Sequence, residues 1–151
     1  MKRMKWITCI LLVAVLLSGM FLPAQAAQEK ETIIYLADGT YAVVTLSVGE
    51  SRNYEKNARK TYTFYNATDV KQWSATLYAT FTWGGTEYTA TACSIDINIY
   101  DTSWREISKT TSMGGRGAAG EVAMGRKVLG ITINRETVNI TLTCSPDGVI
   151  S

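Results

Sequence analysis

The clearest structural pattern in the sequence lies in residues 73–93, which read WSATLYATFTWGGTEYTATAC. From Trp73 to Trp83, apolar and polar residues alternate. Successive side chains of a strand point to opposite faces, so this alternation predicts one strand with an apolar face and a polar face. The Gly84-Gly85 pair favours a tight hairpin turn, after which residues 86–93 return as the partner strand. We therefore predict a half-buried antiparallel hairpin at the centre of a β-sheet.

Runs of β-branched and aromatic residues predict further strands on both sides of this hairpin. These strands are predicted at residues 32–37, 40–48, 60–67, 95–99, 121–128 and 131–144, with a short one within 101–109. Asp38-Gly39 is a strong hairpin signal between the first two. Residues 49–59 and 110–120 are predicted to be loops. The phase of the apolar residues shifts after Ala92, which predicts a bulge or bend near Ala92-Cys93.

The number and spacing of these strands predict an all-β fold. Roughly eight short strands are separated by turn signals, and no stretch of the exported chain has a helical period. We expect a single-domain antiparallel β-sandwich, Ig-like in its general architecture. A small closed β-barrel is the alternative.

The first 26 residues have the composition of a cleaved signal peptide. A basic start is followed by an apolar run, and small residues precede a predicted cleavage site after Ala26. An uncleaved membrane anchor is the alternative, because the apolar run is near the lower length limit for a span. We expect residues 27–151 to be one exported domain, and the protein to be secreted and extracellular.

Removal of the signal peptide changes the charge balance. The whole chain has 15 Lys and Arg residues against 13 Asp and Glu residues. Three of the basic residues, Lys2, Arg3 and Lys5, leave with the signal, so the net charge becomes about −1. This charge gives no electrostatic basis for binding nucleic acid or a membrane surface. The sequence does not identify the partner of the exported chain; cell-surface glycan and protein are the candidates, and we expect no nucleic acid and no membrane partner.

Cysteine usage agrees with export. Cys9 lies in the predicted signal, whereas Cys93 and Cys144 each lie at the end of an alternating run. An even pair in an oxidising compartment predicts a disulfide, which would stabilise the fold by about 4 kcal/mol in the chain-entropy model. A thiolate metal site or catalytic site is the alternative, but the chain has no His to complete one. We predict the bridge, no metal site and no cofactor.

Segments spread over nearly the whole exported chain carry a resemblance to known proteins. They are residues 35–41, 60–61, 73–82, 89–94, 127–131 and 141–145, together with Trp104. In these segments the chain resembles a group of small secreted, two-cysteine β-proteins of Gram-positive, clostridia-like bacteria. The two cysteine segments are the most specific part. The resemblance implies export, the bridge and one β-domain, and it implies no activity.

Two patterns associated with cofactors or catalysis have simpler explanations. Residues 115–120, GRGAAG, match the dinucleotide pattern G-x-G-x-x-G, but the residues that follow favour a strand instead of the required helix. We interpret them as a loop. Asp96, Asp101 and Glu106 are candidates for the paired carboxylates of a glycosidase, yet solvated positions explain them equally well. The lack of His excludes an ordinary Ser-His-Asp or Cys-His site.

Aromatic residues are the better candidates for a binding site. Tyr78 falls on the polar face of the central strand, and Tyr65, Tyr100 and Trp104 are further candidates to reach the surface and bind a ligand. Flat aromatic groups on an exposed sheet can stack on sugar rings. The interpretation that we favour is that Trp104 covers the edge of the core and the tyrosines pack across strands.

The function that we expect is that of a secreted, non-catalytic β-sandwich protein, acting by binding or as an extracellular structural component. A small cell-wall or glycan hydrolase and a bacteriocin-like secreted effector are the alternatives.

Overall fold

The structure, a computed structural model, describes residues 28–52 and 54–151. The predicted signal peptide, residues 1–26, lies outside this part of the chain. The described residues form eight strands and no helix, as predicted. The strands are β1 Gln28–Tyr35, β2 Tyr41–Val48, β3 Glu55–Tyr65, β4 Lys71–Trp83, β5 Tyr88–Ile99, β6 Trp104–Gly114, β7 Gly117–Val128 and β8 Ile131–Thr143.

These strands form two antiparallel sheets. Strands β1 to β5 make a five-stranded sheet, and β6 to β8 make a three-stranded sheet, each in sequential order. Strand β5 runs beside β6, while β3 and β4 contact β8 and β7 across the interior. The sheets are not closed into a barrel, so the predicted β-sandwich is confirmed. Its hairpin connections differ from the Greek key of immunoglobulin domains, and the likeness to them is limited to two packed sheets.

The inward face of β4 is the centre of the core. Its side chains Trp73, Leu77 and Phe81 are fully buried, as the alternation predicts. They pack in one cluster with Val122 and Met124 of β7 and with apolar residues of β8. Burial of side chains of this size stabilises by about 1.5–3 kcal/mol each. The strand β4 of the predicted central hairpin therefore supplies the main packing contacts between the two sheets.

The outward face of β4 is less solvated than the sequence indicates. Ser74 and Thr76 are buried although they belong to the polar face. Thr76 Oγ1 lies 3.0 Å from Thr61 Oγ1 of β3, and Ser74 Oγ lies 3.3 Å from the Tyr100 hydroxyl. Because β4 has a neighbouring strand on each side, cross-strand side chains cover these positions and satisfy their hydroxyl groups.

The predicted bulge in β5 is confirmed. Ala92 pairs with Thr80 of β4, but the next residue of β4, Phe81, pairs with Ala90. Thr91 is therefore the extra residue of a β-bulge. The bulge places Ala90 on the same inward face as Cys93 and Ile95, which explains the phase shift in the sequence.

Three local predictions, one of a tight turn and two of loops, are wrong. The Gly84-Gly85 pair belongs to a four-residue connection, residues 84–87, in which only Gly85 has a left-handed φ. Residues 55–59, predicted as loop, form the first half of β3, where polar side chains alternate with the buried Ala58. The predicted loop at 110–120 is mostly strand, with only Gly115 and Arg116 between β6 and β7.

Gly120 of β7 allows the two sheets to approach each other. A Cβ atom at this position would lie 2.7 Å from Ile95 Cδ1 and 3.2 Å from Leu77 Cδ1. Gly117 also belongs to β7, but a Cβ atom there would have its nearest neighbour, the Gly114 carbonyl oxygen, at an ordinary 3.7 Å. The glycine-rich segment therefore serves the packing of the sandwich at Gly120 and the tight turn at Gly115.

This difference predicts opposite outcomes for two alanine substitutions. Gly120→Ala is expected to lower the free energy of unfolding by about 1–3 kcal/mol, because the new methyl group overpacks the core. Gly117→Ala, the matched control, is expected to change it by less than about 0.5 kcal/mol. Denaturant unfolding of the two variants measures both values. Equal losses would show that the close approach at Gly120 is not the reason for glycine there.

Candidate functional site

Four tyrosines lie on the outer face of the five-stranded sheet, at one end of the sandwich. Tyr35, the last residue of β1, is opposite Tyr41 of β2, which in turn is opposite Tyr65 of β3. Directly opposite residues share one face of a sheet. The neighbours of Tyr41 and Tyr65 in sequence, Ala42 and Phe64, are buried in the core. The tyrosines therefore point outward.

The fourth tyrosine, Tyr100, directly follows β5, and Lys71 at the start of β4 lies between it and Tyr65. We call Tyr35, Tyr41, Tyr65 and Tyr100 the tyrosine row. The rings of Tyr41 and Tyr65 are stacked, with centroids 4.9 Å apart and planes within 1° of parallel. Tyr35 is tilted against Tyr41 at 6.0 Å. The ammonium nitrogen of Lys71 lies 5.9 Å from the ring centroid of Tyr65 and 5.2 Å from that of Tyr100.

Exposure differs along the row. Tyr35 and Tyr100, at its two ends, have 77% and 52% of their surface exposed. Tyr41 and Tyr65 are half-buried against each other. The ends of the row therefore offer more aromatic surface to a ligand than the middle does. Lys71 adds one positive charge held over aromatic faces by cation–π contacts.

Two similar turns hold the strands that carry the row. In the β1–β2 turn the Asp38 carboxylate accepts hydrogen bonds from the amide and the hydroxyl of Thr40. In the β3–β4 turn the Asn66 side chain accepts from the amide and hydroxyl of Thr68 and from the Val70 amide. Side-chain acceptors of this kind fix short turns, so both turns are closed by their own residues.

Gln72 connects these turns to the rest of the molecule. Its backbone carbonyl accepts hydrogen bonds from the amides of Tyr100 and Asp101, at 2.9 and 3.0 Å. Its buried side chain donates to the Val70 carbonyl and accepts from the indole Nε1 of Trp104 at 3.1 Å. Gln72 is the extra residue in the pairing of β3 with β4. This bulge turns its side chain inward and brings the β5–β6 turn to the tyrosine row.

The carboxylates around the row are poor proton donors at neutral pH. Hydrogen bonds from the side chain and backbone of Thr40 hold the pKa of Asp38 below its ordinary value. A hydrogen bond from the backbone amide of Ser103 lowers the pKa of Asp101. Burial, followed by the neighbouring Asp69 carboxylate, raises the pKa of the Tyr41 hydroxyl. The lowered pKa values favour the ionised form of Asp38 and Asp101, and the raised pKa favours the protonated form of the Tyr41 hydroxyl.

The structure brings together only two of the four predicted binding residues. Tyr65 and Tyr100 belong to the tyrosine row. Tyr78 is on the same outer face, but it is seven positions further along β4 than Lys71, roughly 20 Å away, beside a shallow depression of about 360 Å³. Trp104 is buried, as the favoured interpretation holds, and is not available as a binding residue. Its ring is buried against Phe64 and Trp73, because the short β5–β6 turn directs it into the core.

Sequence reasoning missed Tyr35, Tyr41, Lys71 and Gln72. A signal for three of them was present. Tyr35 and Tyr41 flank one hairpin turn at the same spacing as Tyr65 and Lys71 flank another, and residues that flank a hairpin turn lie opposite each other. Gln72 gave no signal, because its role depends on a bulge that the sequence does not show.

The predicted Cys93–Cys144 bridge is absent, since both cysteines are free. The Cys93 thiol lies 3.7 Å from the Ser112 carbonyl of β6, whereas Cys144 follows β8 and its amide donates to the Arg116 carbonyl. Cys93 belongs to β5 of the five-stranded sheet, whereas Cys144 follows the last strand of the three-stranded sheet. The predicted bridge between these two strand ends is not formed in the structure.

Thiol labelling tests this arrangement. In the chain that begins at Ala27, the half-exposed Cys93 is expected to react under native conditions. Cys144 is expected to react only after unfolding, because burial covers it and raises the pKa of its thiol. Alkylation followed by intact-mass measurement, with Cys93→Ser as the control, counts both. A chain with no reactive thiol even after denaturation would contradict the structure.

The carboxylates proposed for a glycosidase do not form one site. Asp96 lies on the outer face of the five-stranded sheet opposite Thr76, and Glu106 belongs to β6 in the other sheet, with its carboxylate 3.7 Å from Lys109 Nζ. Among residues 28–52 and 54–151, no group of three or more Cys, Asp or Glu side chains is placed to hold a metal ion. The same residues include no helix long and apolar enough to cross a membrane.

Comparison with known proteins finds no matching family model, no similar curated protein and no similar solved structure.

Proposed function

We propose that the chain is an exported, non-catalytic binding protein, and that the tyrosine row binds a carbohydrate of the cell surface. The observation that carries the proposal is the exposure of Tyr35 and Tyr100 at the ends of a row of aromatic side chains on an antiparallel sheet. Large aromatic groups that remain exposed on a folded domain are favourable for contact with a ligand that has apolar faces and polar edges. Sugar rings have both.

The supporting structure of the row favours binding without rearrangement. Tyr41 and Tyr65 are stacked on each other, and the turns on both sides are closed by the side chains of Asp38 and Asn66. A ligand would therefore meet side chains that have already lost most of their freedom. Preorganisation of this kind reduces the entropy cost of binding. The phenol hydroxyls and Lys71 supply polar groups for the ring substituents of a sugar.

The same geometry gives less support to a glycan hydrolase. A glycosidase needs one carboxylic acid with a raised pKa beside a second, ionised carboxylate. Asp38 and Asp101 have lowered pKa values because they accept hydrogen bonds within their own turns. Neither is suited to protonate a leaving group at neutral pH.

Export is part of the proposal and rests on the sequence. The first 26 residues have signal-peptide composition, and every described strand lies after them. The resemblance to small secreted proteins of Gram-positive bacteria points the same way. An exported carbohydrate-binding protein would meet wall polysaccharide or peptidoglycan first.

The test is binding of soluble peptidoglycan fragments and wall polysaccharide to the chain that begins at Ala27, measured by titration calorimetry. Tyr35→Ala and Tyr100→Ala are each expected to weaken binding by about threefold to tenfold, since each removes one aromatic contact. The control is Tyr54→Ala, which removes an equally exposed tyrosine at the opposite end of the sandwich. Absence of binding to any of these glycans, or an equal loss in the control, would contradict the proposal. Release of shortened glycan would favour the hydrolase.

A further inference from the structure

The hairpin of β7 and β8 extends beyond the body of the sandwich. Strand β6 begins at Trp104, which pairs with Arg126 of β7. Beyond that point β7 pairs with β8 alone, through Lys127 with Thr132 and Val128 with Ile131. We call residues 126–135 the finger. Its base is attached to the β5–β6 turn by a hydrogen bond from the Lys127 amide to the Ser103 carbonyl, 2.8 Å long.

The end of the finger is apolar and exposed. Leu129 has 97% of its surface exposed, and Ile131 has 69%. Val128 and Ile133 beside them are also exposed. A hairpin turn surrounded by water ordinarily carries polar residues or glycine. Four exposed β-branched or leucine side chains in six residues form a contiguous apolar tip with no partner among the described residues.

The backbone conformation at the tip is unfavourable for the leucine that occupies it. Leu129 has a φ of 52° and Gly130 a φ of 83°, so both residues of the turn are left-handed. Glycine, Asn and Asp adopt this conformation readily, whereas a leucine side chain makes it less favourable. Leu129 therefore neither favours the turn nor packs against the domain. Among the described residues its side chain has no packing partner, so it is available for contact with a further surface.

Most of the charges around the tip are positive. Arg126, Lys127 and Arg135 lie within the finger. Two acidic residues lie near its base, because the Glu136 carboxylate accepts a hydrogen bond from Asn134 and Asp101 is close enough to Arg126 for that charge to help lower its pKa. Arg105 of β6 adds a fourth cation, with its guanidinium 3.4 Å from the Thr132 hydroxyl. An apolar tip with a cationic base matches the boundary of an anionic lipid bilayer, where acyl chains lie below negative headgroups.

We propose that the finger inserts its apolar tip into the outer part of an anionic lipid bilayer, with its cations at the headgroups. Leu36 and Val70 support this placement, because both are exposed in turns at the same end of the sandwich. The net charge of about −1 predicted for the exported chain does not oppose local binding, since headgroups act over about 10 Å or less at moderate salt. The proposal is independent of carbohydrate binding by the tyrosine row.

The test is co-sedimentation of the chain that begins at Ala27 with phosphatidylcholine vesicles that contain or lack phosphatidylglycerol. The key variant is Leu129→Asn, because Asn removes the apolar side chain and suits a left-handed φ. It is expected to lower the partition onto anionic vesicles about tenfold without loss of stability. The matched control is Tyr54→Asn, another exposed residue with a left-handed φ, at the opposite end of the molecule.

Binding is expected to require phosphatidylglycerol and to weaken as salt is raised, since the cations contribute through headgroup charge. Absence of binding to anionic vesicles would overturn the proposal. An equal loss in Tyr54→Asn would also overturn it. A dimer that is seen by light scattering without vesicles, and that Leu129→Asn dissociates, would show that the tip contacts a second copy of the chain instead of lipid.

Discussion

The backbone and side chain of Gln72 join three parts of the molecule that are distant in sequence. The Gln72 carbonyl holds the β5–β6 turn through Tyr100 and Asp101, and its side-chain amide holds Val70 and the indole of Trp104. These groups lie where β3, β4, β5 and β6 meet. A buried amide of this kind stabilises only when its partners are all in place, because each unpaired polar group would cost about 1–3 kcal/mol.

The tyrosine row and the finger both depend on the β5–β6 turn, which Gln72 holds in place. Tyr100 at the start of the β5–β6 turn is one end of the tyrosine row, and Ser103 near its end bonds the base of the finger. The turn also closes on itself, since the Asp101 carboxylate accepts from the Ser103 amide at 2.8 Å. The tyrosine row and the finger therefore lie at the same end of the sandwich. A ligand on the row and a bilayer at the finger would approach the molecule from neighbouring directions.

Local patterns in the sequence were sufficient for the sandwich and for part of the candidate site. The alternation from Trp73 to Trp83 and the phase shift near Ala92 are local features of strands β4 and β5, and both appear in the structure. The errors concern contacts between sheets. The sequence leaves two positions for Trp104 open, because its position depends on the β5–β6 turn. It also does not show whether the two strand ends that carry Cys93 and Cys144 meet.

Packing between the two sheets, which the sequence does not show, also explains the glycine at position 120. The sequence pattern predicts a loop at residues 115–120, yet Gly120 lies in strand β7. Glycine is needed there because Ile95 and Leu77 approach it from the other sheet. The tyrosine row has a similar origin. Tyr35 and Tyr41 are unremarkable as strand residues, and they become neighbours of Tyr65 only through the register of three strands.

The most direct test of the role of Gln72 is the free energy of unfolding of Gln72→Met, which keeps the volume of the side chain and removes its amide. The indole Nε1 of Trp104 would then be buried without its acceptor. A loss of about 1–3 kcal/mol in denaturant unfolding is expected. An unchanged or higher free energy of unfolding would show that Gln72 does not hold this end of the sandwich together.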